Sequence, residues 1–83
     1  MSALRRGKKT DEVFARATRA TSHFYSTDPG TGRPIHRVES ISIADARRLF
    51  ADNKQAKMKD RSDGTYVFVI GTPIGYERVE IST

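Results

Sequence analysis

Cysteine is absent from the chain. Its absence excludes disulfide staples and cysteine-ligated zinc, and leaves no positive sign of an oxidising compartment. Long hydrophobic runs are missing too. Nothing approaches the ~18 consecutive apolar residues that a transmembrane helix requires. The opening Met1-Ser2-Ala3-Leu4-Arg5-Arg6 has no apolar stretch behind its basic residues, so it does not read as a secretory signal. The cytoplasm is the expected location, with no membrane partner.

Metal and catalytic signatures are equally scarce. The only two histidines, His23 and His36, are not at the i, i+4 spacing of a helical zinc site. Asp60 and Asp63 precede Gly64, but the ligand series is far too short for an EF-hand. Gly30-Thr31-Gly32 lacks the third glycine and the strand-to-helix setting of a phosphate-cradling loop, and Gly71 and Gly75 read as turn chemistry. No Gly-x-Ser-x-Gly elbow occurs. No catalytic residue, metal or cofactor is assigned.

What remains is a chain of 83 residues, 36% hydrophobic and 30% charged, enough for one domain. A chain this short buries only roughly 60–65% of the surface its unfolded form exposes. The apolar residues are nonetheless grouped, notably in Tyr66-Val67-Phe68-Val69-Ile70, so global disorder is not expected.

The net charge of +5 is uneven. Arg5, Arg6, Lys8 and Lys9 place four of the 15 basic residues in the first ten positions, leaving 11 against ten acids in the rest. Residues 1–9 lack apolar periodicity and read as a flexible basic arm, with residues 10–83 forming a single α+β domain. Thr10-Asp11-Glu12 looks like a helix start. From Val13 to Thr21 helix and strand compete, and a strand over much of 13–26 is the reading adopted.

Asp28-Pro29-Gly30-Thr31-Gly32-Arg33-Pro34 is a loop rich in turn residues. It makes a β-hairpin of Phe24-Tyr25 and Ile35–Ile41. Alternation puts Ile35, Arg37, Glu39 and Ile41 on one face of the second strand, and His36, Val38 and Ser40 on the other. Ser42 before Ile43-Ala44-Asp45 is a helix cap. Ile43, Ala46, Leu49 and Phe50 then share one side of a helix that ends near Asn53, with weaker helix through Met58. Thr65–Ile70, apolar on both faces, reads as a central strand, and Tyr76–Ile81 as its hairpin partner. The expected fold is a small antiparallel sheet in β-β-α-β-β order, with one main helix on one face.

The basic residues are the positive functional lead. The arm, joined by Arg16 and Arg19, and a second set of Arg47, Arg48, Lys54, Lys57, Lys59 and Arg61 along the helix and the loop after it, are suited to phosphate contacts. Tyr25, Tyr66 and Tyr76 are candidate stacking residues. The first expectation is a non-enzymatic accessory protein that binds nucleic acid or a nucleoprotein complex. The alternative is a protein-directed inhibitor or adaptor acting through the sheet edge or through the face of Tyr76, Arg78 and Glu80. A third reading is a small ribonuclease toxin, with His23 and His36 and their neighbours Tyr25, Arg37 and Glu39 supplying base, acid and phosphate-binding cation. Alternation weakens it by placing His36 opposite Arg37 and Glu39. Oligomeric state is not legible, although an unpaired edge strand offers a route to dimers.

From Ile35 to Ile81 an edge strand runs into Ser-Ile-Ser-Ile-Ala-Asp-Ala-Arg-Arg-Leu-Phe, then a helix and a closing hairpin. This layout resembles that of some small phage-encoded proteins, anti-CRISPR inhibitors among them, which occupy a surface of a nucleoprotein complex. The β-α-β-β order is also similar to arm-type DNA-binding modules of integrases. The resemblance covers about half the chain, is one of organisation, and carries over no residue role.

Overall fold

The computed structural model describes residues 2–83. Its elements are β1 (Ser2–Ala3), α1 (Lys8–Arg16), β2 (Arg19–Thr27), β3 (Pro34–Ile41), α2 (Ile43–Asp52), β4 (Lys59–Asp60), β5 (Thr65–Thr72) and β6 (Gly75–Ser82). The strands form one antiparallel sheet in the order β1-β4-β5-β6-β2-β3. Four long strands carry it. The other two contribute two residues each.

Both helices pack on one face of the sheet, here the inner face. Phe50 of α2 meets Phe14 of α1 with ring centres 5.8 Å apart, and Phe68 of β5 at 5.1 Å. Around them Val13, Ala20, Ala46, Met58, Ile70, Val79 and Ile81 complete a buried cluster. Along β5 and β6 these residues alternate with outward-facing ones, as a sheet covered on one side demands. Ser42 caps α2 as expected, its hydroxyl accepting the Asp45 N–H at 3.0 Å.

Three local expectations are corrected. The chain is helical to Arg16, and β2 begins only at Arg19. Thr10, Val13 and Phe14 are buried at i, i+3 and i+4, a helical stripe that outweighs the strand preference of the threonines further on. Thr10 also closes the first turn, its hydroxyl accepting the Gly7 N–H at 3.0 Å.

The second correction concerns the arm. Met1 lies outside the described residues, but Ser2 and Ala3 pair with Asp60 and Lys59, and the Leu4 N–H donates to the Met58 carbonyl at 2.7 Å. Lys8 and Lys9 belong to α1. The segment is docked on the body rather than standing off it.

The third is the tail of α2. No helix continues to Met58, because the chain turns at Asn53, which caps the Leu49 carbonyl through its backbone N–H. The released carbonyls are collected by one side chain. Arg6 donates to the carbonyls of Phe50 (2.7 Å), Asn53, Lys54 (3.1 Å) and Ala56 (2.9 Å).

β5 pairs with β6 along its full length, but with β4 only at Tyr66 and Val67. Its further half, from Phe68 to Thr72, is an edge unpaired among the described residues. At the other end of the sheet β3 pairs, among those residues, with β2 alone.

Candidate nucleic-acid interface on the open sheet face

The outer face has neither helix packed upon it. Register brings His36 of β3, Tyr25 of β2 and Tyr76 of β6 directly opposite one another. Their rings stack in series. The centres are 4.4 Å apart for Tyr25 and His36, and 4.9 Å for Tyr25 and Tyr76, with interplanar angles of 9° and 21°. Neighbouring strands lie about 4.7–4.9 Å apart, so rings standing upright on adjacent strands come into stacking contact without adjustment. His23 extends the group, 5.7 Å from His36 between ring centres.

The row stops at Tyr76, because the residue opposite it on β5 is Gly71. A Cβ built at Gly71 would meet nothing within 4 Å. One face of the Tyr76 ring is covered by Tyr25. The other looks over Gly71, and Tyr76 is 45% exposed. The gap is one strand wide, the spacing of one further stacked ring.

In the adjacent row, Val38, His23, Arg78 and Val69 lie side by side across β3, β2, β6 and β5. Arg78 forms no ion pair among the described residues. Its Nε is buried without a hydrogen-bond partner. Glu80, one step further along β6, is occupied by Arg61 at 2.6 Å. Arg78 is thus a cation in the middle of an open face with its charge unspent.

Two clefts border the free edge of β5. One, of about 420 Å³, has Val67 and Val69 among its apolar lining and Lys57, Lys59 and Arg78 as its charged residues. The other, of about 560 Å³, lies beside Val69, Ile70 and Gly71 and carries Asp52 and Lys54. A third, of about 600 Å³, touches no residue of β5 and carries Arg5, Arg6, Lys54 and Lys57. Asp52 is the one carboxylate among these linings. Lys57 belongs to the first and the third, so their cations form a continuous tract.

The basic residues picked out in the sequence therefore divide. Arg5, Lys54 and Lys57 come together in the tract. Arg19 opens β2 and by alternation shares the outer face with His23 and Tyr25. Lys8, Lys9 and Arg16 are exposed on α1, apart from it. Arg47 reaches Asp11 at 3.6 Å and Arg48 reaches Asp45 at 3.8 Å, exposed pairs on the helix side. Arg6 is committed to the carbonyls after α2. Tyr66 faces the core rather than the row.

The histidines do approach each other, and on the face opposite Arg37 and Glu39. His23 Nδ1 and His36 Nε2 are 3.4 Å apart and hydrogen-bond directly, one imidazole donating to the other. On the inner face, beyond the helices, Ser22, Phe24, Arg37, Glu39 and Glu77 line a cleft of about 200 Å³, where the Ser22 hydroxyl donates to Glu77. Among the described residues no cluster of three or more His, Asp or Glu side chains is placed to hold a metal, and no helix is long and apolar enough to cross a membrane.

Sequence reading missed the aromatic row. Its signal was the placing of His23, Tyr25, His36 and Tyr76 on one parity of their strands, which becomes a row only when the register of β2, β3 and β6 is known. No protein-family model, no curated protein and no solved structure matches this chain.

Proposed function

We propose that this protein is a non-enzymatic module that binds single-stranded nucleic acid across the open face of its sheet. The observation that carries the reading is the stack of His36, Tyr25 and Tyr76 beside the unpaired Arg78. A base inserted over Gly71 stacks on the free face of Tyr76, continuing a series whose spacing already matches that of stacked rings. Arg5, Lys54, Lys57, Lys59 and Arg78 then follow the phosphates around the β5 edge. A duplex keeps its bases inside the stack and cannot use the slot, which favours a single strand.

The experiment is a salt series of fluorescence-anisotropy titrations with single-stranded RNA, single-stranded DNA and duplex DNA, on the wild type and on Tyr76→Ala and Arg78→Gln. Five phosphate contacts on a single strand give a log–log salt slope of about −3.5. Tyr76→Ala lowers affinity for single strands about tenfold or more, and Arg78→Gln flattens the slope by about 0.7. Equal affinity for duplex and single strands, unmoved by Tyr76→Ala, overturns the reading.

A protein-directed reading draws on the same face. Val38 and Val69 are 56% and 50% exposed and flank Arg78 at either end of its row. Apolar and arginine anchors of this kind suit a protein partner. A specific protein retained after nuclease treatment, and lost in Tyr76→Ala, favours this inhibitor or adaptor role.

A further inference from the structure

β3 is the terminal strand of the sheet, and its outer edge pairs with nothing among the described residues. It is eight residues long and contains a single proline, Pro34, at its first position, so nearly the whole edge offers backbone donors and acceptors to another strand. Its inner face reads Ile35, Arg37, Glu39, Ile41: apolar, basic, acidic, apolar. Reversed, that series is its own complement.

From this we propose that the protein forms a homodimer by antiparallel pairing of β3 with β3 of a second copy, centred on Val38. Side-chain alternation requires any such pairing to be centred on a residue, since a centre between residues sets the inner face of one copy against the outer face of the other. Centred on Val38, Arg37 stands opposite Glu39 of the second copy and Glu39 opposite its Arg37. Ile35 meets Ile41 at both ends. Shifted to Arg37, the pairing sets arginine against arginine and Ile35 against Glu39. Shifted to Glu39, it sets glutamate against glutamate and Arg37 against Ile41. Opposite charges facing across strands stabilise a pair and like charges destabilise it, so one register is selected and its neighbours are penalised.

Arg37 and Glu39 are both exposed, and neither has an ion-pair partner within its own chain among the described residues. On the outer face Val38, 56% exposed, meets Val38 of the second copy on the two-fold axis. That axis is perpendicular to the sheet, so the outer faces of both copies lie on the same side and their aromatic rows become parts of one continuous surface. The inference does not depend on what that surface binds.

The absence of native cysteine makes the register directly testable. Val38→Cys places two thiols opposite each other on the axis, within reach of a disulfide. Mild oxidation is expected to convert it to a covalent dimer, while Val69→Cys, equally exposed but far from β3, stays monomeric. Sedimentation velocity over a concentration series supplies the second measurement. Glu39→Arg raises the concentration needed for dimerisation about tenfold or more, and the double swap Arg37→Glu with Glu39→Arg restores it, because each pair is rebuilt with its signs exchanged. Circular dichroism confirms that each variant is folded. A wild type that stays monomeric at every concentration, or a Val38→Cys dimer indifferent to the charge changes, overturns the proposal.

Discussion

The guanidinium carbon of Arg6 lies 3.8 Å from the centre of the Phe50 ring. The same group donates to four backbone carbonyls at and beyond the end of α2. A helix C-terminus exposes unsatisfied carbonyls and a partial negative charge. A planar cation with several donors answers both at once, and its stacking on Phe50 ties the N-terminal segment to the centre of the core. The most basic stretch of the sequence is thereby divided: Arg6 is bonded within the fold, and Arg5 beside it makes no hydrogen bond or ion pair among the described residues.

Arg6→Ala is accordingly expected to lower stability by about 2 kcal/mol or more, since several carbonyls lose a charged donor. Arg6→Lys recovers only part of the loss, because an ammonium cannot present the same fork. Urea unfolding of both variants checks this. Deleting residues 1–9 removes Arg6, the Gly7 cap and the first two residues of α1, so it reduces stability as well as any nucleic-acid affinity. An unchanged urea midpoint after the deletion contradicts the docked segment.

Two glycines in the β5–β6 hairpin predict opposite outcomes. A Cβ at Gly75 would run into the Tyr25 backbone carbonyl, so Gly75→Ala forces β2 and β6 apart and destabilises by about 1–3 kcal/mol. At Gly71 there is open space, and its φ is not in the left-handed region. Gly71→Val leaves thermal stability within about 0.5 kcal/mol of wild type while filling the slot beside Tyr76. Affinity for single strands falls, and affinity for duplex does not.

Phe68 touches Phe50 across the inner face and is almost completely buried. Phe68→Ala removes the centre of the cluster and costs about 3–5 kcal/mol. In a chain of this size that loss is comparable to the whole stability. The variant is expected to lack a cooperative thermal transition by circular dichroism.

Acid affects one turn specifically. The Asp63 carboxylate accepts the Thr65 hydroxyl at 2.5 Å and the Thr65 N–H at 3.0 Å. These bonds, the hydroxyl first, hold its pKa below the usual carboxylate range, with Arg61 adding to the effect. A depressed folded pKa means stability that is present above the unfolded value of about 3.9 and is lost as pH falls through the lower folded value. The gap in stability between wild type and Asp63→Asn should therefore be widest above pH ~5 and narrow steadily below pH ~4. A gap that stays constant down to pH ~2 removes the carboxylate from the turn's stability.

Much of the architecture follows from local pattern. The Ser42 cap and the stripe of Ile43, Ala46, Leu49 and Phe50 specify α2 because a helix is built from contacts three and four residues apart. The strands at Thr65 and Tyr76 are marked by a continuous apolar run and an apolar alternation on either side of a proline- and glycine-containing turn. The Asp28–Pro34 loop separates β2 from β3 for the same reason. The stripe of Thr10, Val13 and Phe14 was equally present, and reading it at helical period places α1 correctly.

What lay beyond the sequence depends on partners far along the chain. Arg6 and Phe50 stand 44 positions apart, and nothing near Arg6 in the sequence distinguishes it from Arg5, which makes none of these bonds. His36, Tyr25 and Tyr76 become a stack only once three strands are set in register, and a shift of one residue would turn each ring to the opposite face. The open slot at Gly71 exists for the same reason. Composition and periodicity determined that this chain folds as helices on an antiparallel sheet; strand order and register decided which of its charges stay unspent and which of its rings meet, because those relations are made across the sheet and not along the chain.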